Sequence, residues 1–278
     1  MKKILITGNS GYIGSHLCKL LEGKYEIHGL DIKDPVSEVS NFHRIDIRNP
    51  FIIPNQNEPY YAVVHLAALV SVAESEKIPS AYYLTNLIGA MNVLNIPTNN
   101  FIFASTGAAT LCENPYGIGK KAAEDCVFEF CTSKKPKNHT VFRFYNVIGS
   151  SYGFQPTNPD GLMLNLMKAK ERGQFTIFGN DYHTKDGTCV RDYVHVLEIC
   201  NAIKTSIEEP ANGLERLGHG EGHTVKEMVE AYKKINNIEF EIKYGPRRKG
   251  DSAISVLDNP SRYMKHMFDF SQLLKINS

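Results

Sequence analysis

Tyr116 and Lys120 stand four residues apart in the run Tyr116-Gly117-Ile118-Gly119-Lys120, so a helix through them puts both on one face. A free phenol ionises at about pH 10 and is a poor base at neutrality. A neighbouring ammonium favours the phenolate, and a lowering of about three units takes roughly 4 kcal/mol of differential stabilisation. Two positive charges in a partly dry cleft, Lys120 and a cationic hydride acceptor, are of that order. The pair suits removal of a proton from an alcohol while hydride leaves the same carbon. Ala104-Ser105-Thr106-Gly107 lies just upstream. Beyond a strand end, the Thr106 hydroxyl would hold the reacting alcohol and the phenol in one hydrogen-bonded set, with Ser105 as the alternative for that role.

The hydride acceptor has its own signature at the amino terminus. Residues 2–7 form a short apolar run that breaks at Gly8-Asn9-Ser10-Gly11-Tyr12-Ile13-Gly14. Gly8, Gly11 and Gly14 fall where a first strand turns into a first helix. There they permit a tight turn and close backbone approach, and the helix start offers free N–H groups to a pyrophosphate. Asp31 closes the second strand and can accept both hydroxyls of an adenine ribose while repelling a 2′-phosphate, which selects NAD over NADP. Lys33 nearby slightly weakens that exclusion, and Asp46-Ile47 offers an adenine contact.

The elements that must position these groups follow from hydrophobic pattern. Strands are expected at 2–7, 25–31, 61–66, 100–105 and 141–145, with helices over 12–22, near 80–95 and from Tyr116 onward. Alternating buried strands and helices predict an α/β fold, a Rossmann-type doubly wound parallel sheet with a smaller C-terminal substrate lobe. We place the NAD-binding domain at 1–149, with a return helix at about 193–206 packing back on it, and the lobe at 150–278. The 278 residues carry a formal net charge of +1, which leaves no bulk electrostatic basis for binding nucleic acid. No 18-residue apolar run suggests a membrane span, and nothing resembles a secretory signal. Six cysteines without C-x-x-C or zinc spacing indicate no metal and a reducing compartment, so a cytoplasmic protein is expected.

With these motifs the chain resembles the extended short-chain dehydrogenase/reductase family and, within it, the UDP-glucose (UDP-galactose) 4-epimerases. His65-Leu66-Ala67-Ala68 matches the family's cofactor loop, and Arg143-Phe144-Tyr145-Asn146 matches the strand whose Asn meets the substrate. The run from Phe178 to His195 is the most specific, and Pro246-Arg-Arg-Lys-Gly-Asp251 completes the set. The resemblance implies tightly bound NAD, contacted by the glycine loop with Tyr12 and Ile13, by Leu66, Ala67 and Ala68, and by Tyr116 and Lys120. It implies a UDP-sugar substrate, with Thr106, Asn146 and Leu162 in contact, Phe178 at the uracil, Arg191 and Arg248 at the diphosphate and Asp251 at the uridine ribose. Guanidinium forks suit a diphosphate better than lysines do. It also implies transient oxidation at sugar C4, rotation of the 4-keto sugar about its diphosphate tether, hydride return to the other face, and a homodimer.

Some positions depart from the family pattern. The segment from Thr110 to Tyr116 is much shorter than usual, the helix before Asn100 is trimmed with Pro97 interrupting it, and Gly161 stands where relatives place a uridine-contacting Asn. These bear on loop closure and on the dimer-forming helices. Ser255 aligns with a pocket-gating position, and its small size leaves room for a 2-acetamido group, extending the substrates to UDP-GalNAc and UDP-GlcNAc. Nucleotide-sugar 4,6-dehydratases and decarboxylases, a competing reading, place a carboxylate beside the Thr, where this chain has Gly107-Ala108-Ala109. A non-catalytic dinucleotide sensor would have no use for Tyr116 with Lys120.

Overall fold

Ile4, Leu5 and Ile6 are wholly buried, as are Ala62, Val63 and Val64, which is the mark of central parallel strands covered on both faces. The computed structural model describes residues 1–54, 58–133 and 136–275. It opens with β1 (Lys3–Thr7), α1 (Tyr12–Leu21) and β2 (Glu26–Asp31), followed by β3 (Asn41–Arg44) and β4 (Ala62–His65). Short helices α2 (Val72–Ser75) and α3 (Pro79–Tyr83) continue through a π-helical turn, Leu84–Ile88, into α4 (Gly89–Leu94). Then come β5 (Asn100–Thr106), α5 (Pro115–Ser133) and β6 (Asn138–Phe144). In the second half, β7 (Asn146–Ile148), α6 (Leu162–Arg172), β8 (Gln174–Phe178), β9 (Val190–His195), α7 (Val196–Glu208) and β10 (Gly213–Leu217) precede β11 (Gly222–Thr224), α8 (Val225–Asn236), β12 (Glu241–Gly245), β13 (Ile254–Ser255) and α9 (Phe270–Leu274).

The main sheet is parallel throughout, in the order β10-β6-β5-β4-β1-β2-β3. Strand pleating sends alternate residues to opposite cores. Ile4, Ile6, Ala62 and Val64 meet Leu17 and Leu21 of α1 and Ile199 and Ile203 of α7. Leu5 and Val63 meet Ala90 and Val93 of α4 and Ala123 and Val127 of α5. The doubly wound α/β architecture is therefore present. The strand order reverses between β1 and β4, and the crevice beyond their carboxyl ends is where such sheets bind ligands. Among the described residues no helix is long and apolar enough to cross a membrane.

Two strands of the main sheet, β3 and β10, escaped the sequence reading, as did the short strands of the lobe. β3 is short and largely exposed, and β10 pairs with β6 from the far side of the lobe. Together α7 and β10 carry the chain back across the boundary drawn at 149/150, so the sheet is completed by residues of the second half. The lobe keeps its own core, in which Met163 and Leu166 of α6 meet Tyr193, Met228 and Tyr232.

Candidate active site

The glycine loop is a cradle with no space for side chains. A Cβ at Gly8, which has φ +73°, would lie 2.7 Å from the Ala67 nitrogen, and one at Gly14 would lie 2.1 Å from the Gly8 carbonyl oxygen. The loop is thus pressed against Leu66-Ala67, two segments that the sequence assigned separately to one cofactor. Ala67 N donates to Thr7 Oγ1 (3.3 Å), and Thr7 Oγ1 pairs with His65 Nδ1 (2.6 Å). At the N-cap of α1, Gly11 supplies no side chain to the first-turn N–H groups, which leaves them for an anion. Asp31 sits beside the loop, its carboxylate accepting from Ser10 N (3.1 Å) and Lys33 N (3.0 Å). Fixed donors, a backbone cradle and a placed carboxylate fit the pyrophosphate and adenine ribose of NAD. Asp46 and Ile47 are more occupied than the sequence implied. Arg48 holds the Asp46 carboxylate (Nη2 to Oδ2, 2.6 Å), and Ile47 is buried beneath Gly89, its carbonyl accepting from Asn92 Nδ2 (2.8 Å).

The chemical groups lie where β5 ends and α5 begins. Pro115 opens α5, a position where its missing N–H costs nothing, and Asn114 Oδ1 accepts from Gly117 N (2.8 Å) as the cap. Gly117 lets the first turn press on the loop after Thr106, since a Cβ there would lie 2.6 Å from the Ala108 carbonyl oxygen. Tyr116 and Lys120 are both buried on this face, and Lys120 Nζ lies 4.4 Å from the centre of the Phe103 ring. Burial pushes the Tyr116 phenol up to about 12, against a lowering by the Thr106 hydroxyl. Burial also pushes the Lys120 ammonium down to about 7, opposed by the Glu124 carboxylate. The chain's own desolvation therefore works against the phenolate expected from the sequence, and further positive charge at the site has to overcome it. Of the two candidate hydroxyls, Ser105 is committed to Glu124 Oε1 (2.5 Å), which leaves Thr106 facing the phenol.

A cleft of about 630 Å³ runs from these groups into the lobe. Its lining includes Thr106, Tyr116 and Asn146, and also Leu162, Phe178, Arg191, Arg248, Asp251 and Ser255, with Tyr12, Ile13 and Ser105. Asn146 Nδ2 donates to the Asp192 carbonyl (3.2 Å), Arg191 Nη1 to the Val190 carbonyl (2.9 Å), and Arg248 Nε to Asp251 Oδ2 (2.8 Å). The Arg248 guanidinium lies 5.0 Å from the centre of the half-exposed Phe178 ring. The Tyr12 hydroxyl is spent on the Gly149 carbonyl (2.5 Å), so this side chain ties α1 to the start of the lobe.

Sequence reasoning missed the residues that join the two sides. Asn114 Nδ2 donates to the Gly250 carbonyl (3.2 Å), linking the cap of α5 to the Arg248–Asp251 turn. Ser71, at the N-cap of α2, hydrogen-bonds Asp160 beside α6, and Asn86 brackets Leu69 through its N–H and its carbonyl (2.9 Å each). An Asn before a Pro at a helix start was a legible cap signal; the partners across the cleft were not.

The sequence and structure match known proteins over nearly their whole length. The model of the NAD dependent epimerase/dehydratase family matches residues 4–218. A UDP-glucose 4-epimerase of Bos taurus is 30% identical over 319 aligned positions, covering 96% of this chain and 91% of its own. That span exceeds the 278 residues present, so the chain is internally shorter than this relative. A UDP-glucose 4-epimerase of Stenotrophomonas maltophila, solved with NAD and formylated UDP-arabinopyranose, superimposes with a TM-score of 0.83 at 26% identity, over 99% of this chain and 96% of its own. A UDP-Glc/GlcNAc 4-epimerase of Campylobacter jejuni gives 0.76 at 28% identity, over 99% and 97%.

Proposed function

Because the chain belongs to the NAD dependent epimerase/dehydratase family, we propose that it is an isomerase, an NAD-dependent 4-epimerase that interconverts UDP-glucose and UDP-galactose. The observation that carries the reading is the single cleft joining Tyr116 and Thr106 to Phe178, Arg191, Arg248 and Asp251. NAD, when bound, supplies reversible hydride acceptance at sugar C4. The Tyr116 phenolate takes the proton of the sugar 4-hydroxyl and returns it in the reverse step, while Thr106 keeps that oxygen in line and Lys120 supplies positive charge beneath both. Arg191 and Arg248 hold the diphosphate, Phe178 and Asp251 the uridine, and Asn146 and Leu162 border the sugar. A firm diphosphate grip with a permissive sugar end lets the 4-keto sugar present either face. Positions 107–109 form a 3₁₀ turn of Gly-Ala-Ala, which leaves an elimination without the carboxylate it needs there.

Ser255, beside Arg191 at the cleft wall, adds the 2-acetamido sugars UDP-GlcNAc and UDP-GalNAc to the substrates we assign. Leu84, Ile88 and Met91 recur on one exposed face with Ile118 nearby on α5, which supports a homodimer through these helices; light scattering of the purified protein tests it. Six unpaired thiols favour the cytoplasm. The deciding experiment is proton NMR of UDP-galactose with purified protein and no added NAD. The anomeric signal of UDP-glucose is expected; its absence after NAD is also supplied and UDP-GalNAc is tried would overturn the epimerase reading.

A further inference from the structure

Glu124 lies one turn beyond Lys120 and two beyond Tyr116 on α5, is 1% exposed, and has no part in the chemistry above. Its Oε1 accepts from Ser105 Oγ (2.5 Å) and Arg143 Nε (2.8 Å), and its Oε2 from Arg143 Nη2 (2.6 Å). Arg143 is buried too, and its Nη1 donates to Thr110 Oγ1 (3.2 Å) in the short loop before α5. The cluster joins three elements that each deliver a site residue: β5 with Thr106, α5 with Tyr116 and Lys120, and β6 leading to Asn146. A buried ion pair is a poor choice for stability alone, since apolar groups of equal volume often do as well or better. Its charge, however, is felt by whatever lies next to it in the same dry interior.

Resting on the epimerase reading, we propose that Glu124 is a positioning residue for the reaction: its carboxylate, oriented by Arg143 and Ser105, keeps Lys120 charged and holds the Tyr116/Lys120 face against Thr106. The titratable groups around Lys120 are Tyr116 and Glu124 on its own helix, His65 on β4, Arg143 on β6 behind Glu124, and Tyr82 on α3 against the Tyr116 ring. Burial, with Lys120 adding to it, pushes His65 down to about 3, so this imidazole is neutral at working pH. Tyr82 donates its hydroxyl to Glu74 (2.8 Å) and is pushed up by burial, so it too is neutral. Glu124 is thus the anion that offsets the desolvation of the Lys120 ammonium.

The test is a pH titration of Lys120 in the NAD-loaded protein by carbon-13 NMR of labelled lysine Cε, the resonance identified by its loss in Lys120→Arg. Glu124→Gln removes the anion and leaves the Arg143 cation, so the midpoint falls by about one unit. Arg143→Gln leaves the carboxylate unopposed, and the midpoint rises. The alkaline limb of kcat/KM moves with it in each case. Loss of packing alone cannot move the two variants in opposite directions. A midpoint that stays put, or moves the wrong way, in whichever variant folds overturns the proposal. Turnover by the parent enzyme is scored separately and tests the epimerase reading alone.

Discussion

Replacing Gly14 by alanine tests the nucleotide cradle at a point where sterics alone decide. The added carbon would lie 2.1 Å from the Gly8 carbonyl oxygen and 2.8 Å from Asn9 Cα. Both are backbone atoms, so no side-chain rotation relieves the clash. Reaching an ordinary carbon–oxygen separation of about 3.3 Å requires the loop to move by about 1 Å. That displacement takes N–H donors away from the pyrophosphate, and a hydrogen bond to a charged group contributes about 1.5–3 kcal/mol. Misplacing two of them costs about 3–6 kcal/mol, a hundred- to ten-thousandfold in affinity. The assay is the NAD released on denaturing desalted protein, per chain, together with turnover without added cofactor. Gly23→Ala is the control, since Gly23 has φ +72° but open space around it, so only a stability cost of about 1–2 kcal/mol is expected, with NAD retained. Parental NAD content and rate in Gly14→Ala would refute the steric argument.

Tyr116→Phe removes the proton acceptor and lowers kcat about 10²- to 10⁴-fold with NAD retained, measured on UDP-galactose; a rate within threefold of the parent contradicts the assignment. Ser255→Tyr fills the cleft wall and shifts relative kcat/KM toward non-acetylated sugars by about tenfold or more, and an unchanged ratio removes Ser255 as the gate. Glu198→Gln strikes the buried carboxylate that accepts from His219 Nε2 (2.8 Å), His195 N (2.9 Å) and Met267 N (2.7 Å). Burial, the largest single influence, opposes charge on both Glu198 and His219; their mutual hydrogen bond and attraction, with the Met267 and His195 N–H groups on Glu198 and the Asp192 and Glu221 charges around His219, together outweigh it, leaving the carboxyl lowered and the imidazole raised. The Glu198 contribution is present above its unfolded pKa and lost as pH falls through the folded one; that of His219 is present below its unfolded pKa and lost as pH rises through its raised one. The melting temperature of Glu198→Gln should therefore drop by about 4–8 °C near pH 5.5 and by less at pH 8.5; an equal drop at both would show that the imidazole carries no charge.

What the sequence revealed was what is local. The glycines after β1 and the Tyr116–Lys120 spacing each announce a strand end or a helix face, because their neighbours in space are their neighbours in the chain. β1, β2, β4, β5 and most of β6 were legible as apolar runs, since strands buried on both faces carry little else. β3 was not, because Asn-Phe-His-Arg at a solvated edge has one strongly apolar residue. Asn114 with Gly250, Ser71 with Asp160, and Glu124 with Arg143 are pairs far apart in the chain, whose members look like ordinary surface groups until the fold brings them together. The opposing effect of burial on Tyr116 was illegible for the same reason: desolvation is a property of the finished site.

The return of β10 to β6 sets an order on how the molecule is made. During synthesis the glycine loop, β1 through β5 and α5 emerge before the lobe, so this part of the sheet can pair first. β6 then waits with an unpaired edge while the lobe is translated, several seconds at roughly 5–20 residues per second. An open edge of this kind templates pairing with other chains. A nascent chain stalled between residues 144 and 213 therefore carries an open β6 edge that can pair with another chain, and an early-binding nucleotide would protect it only on the side away from that edge.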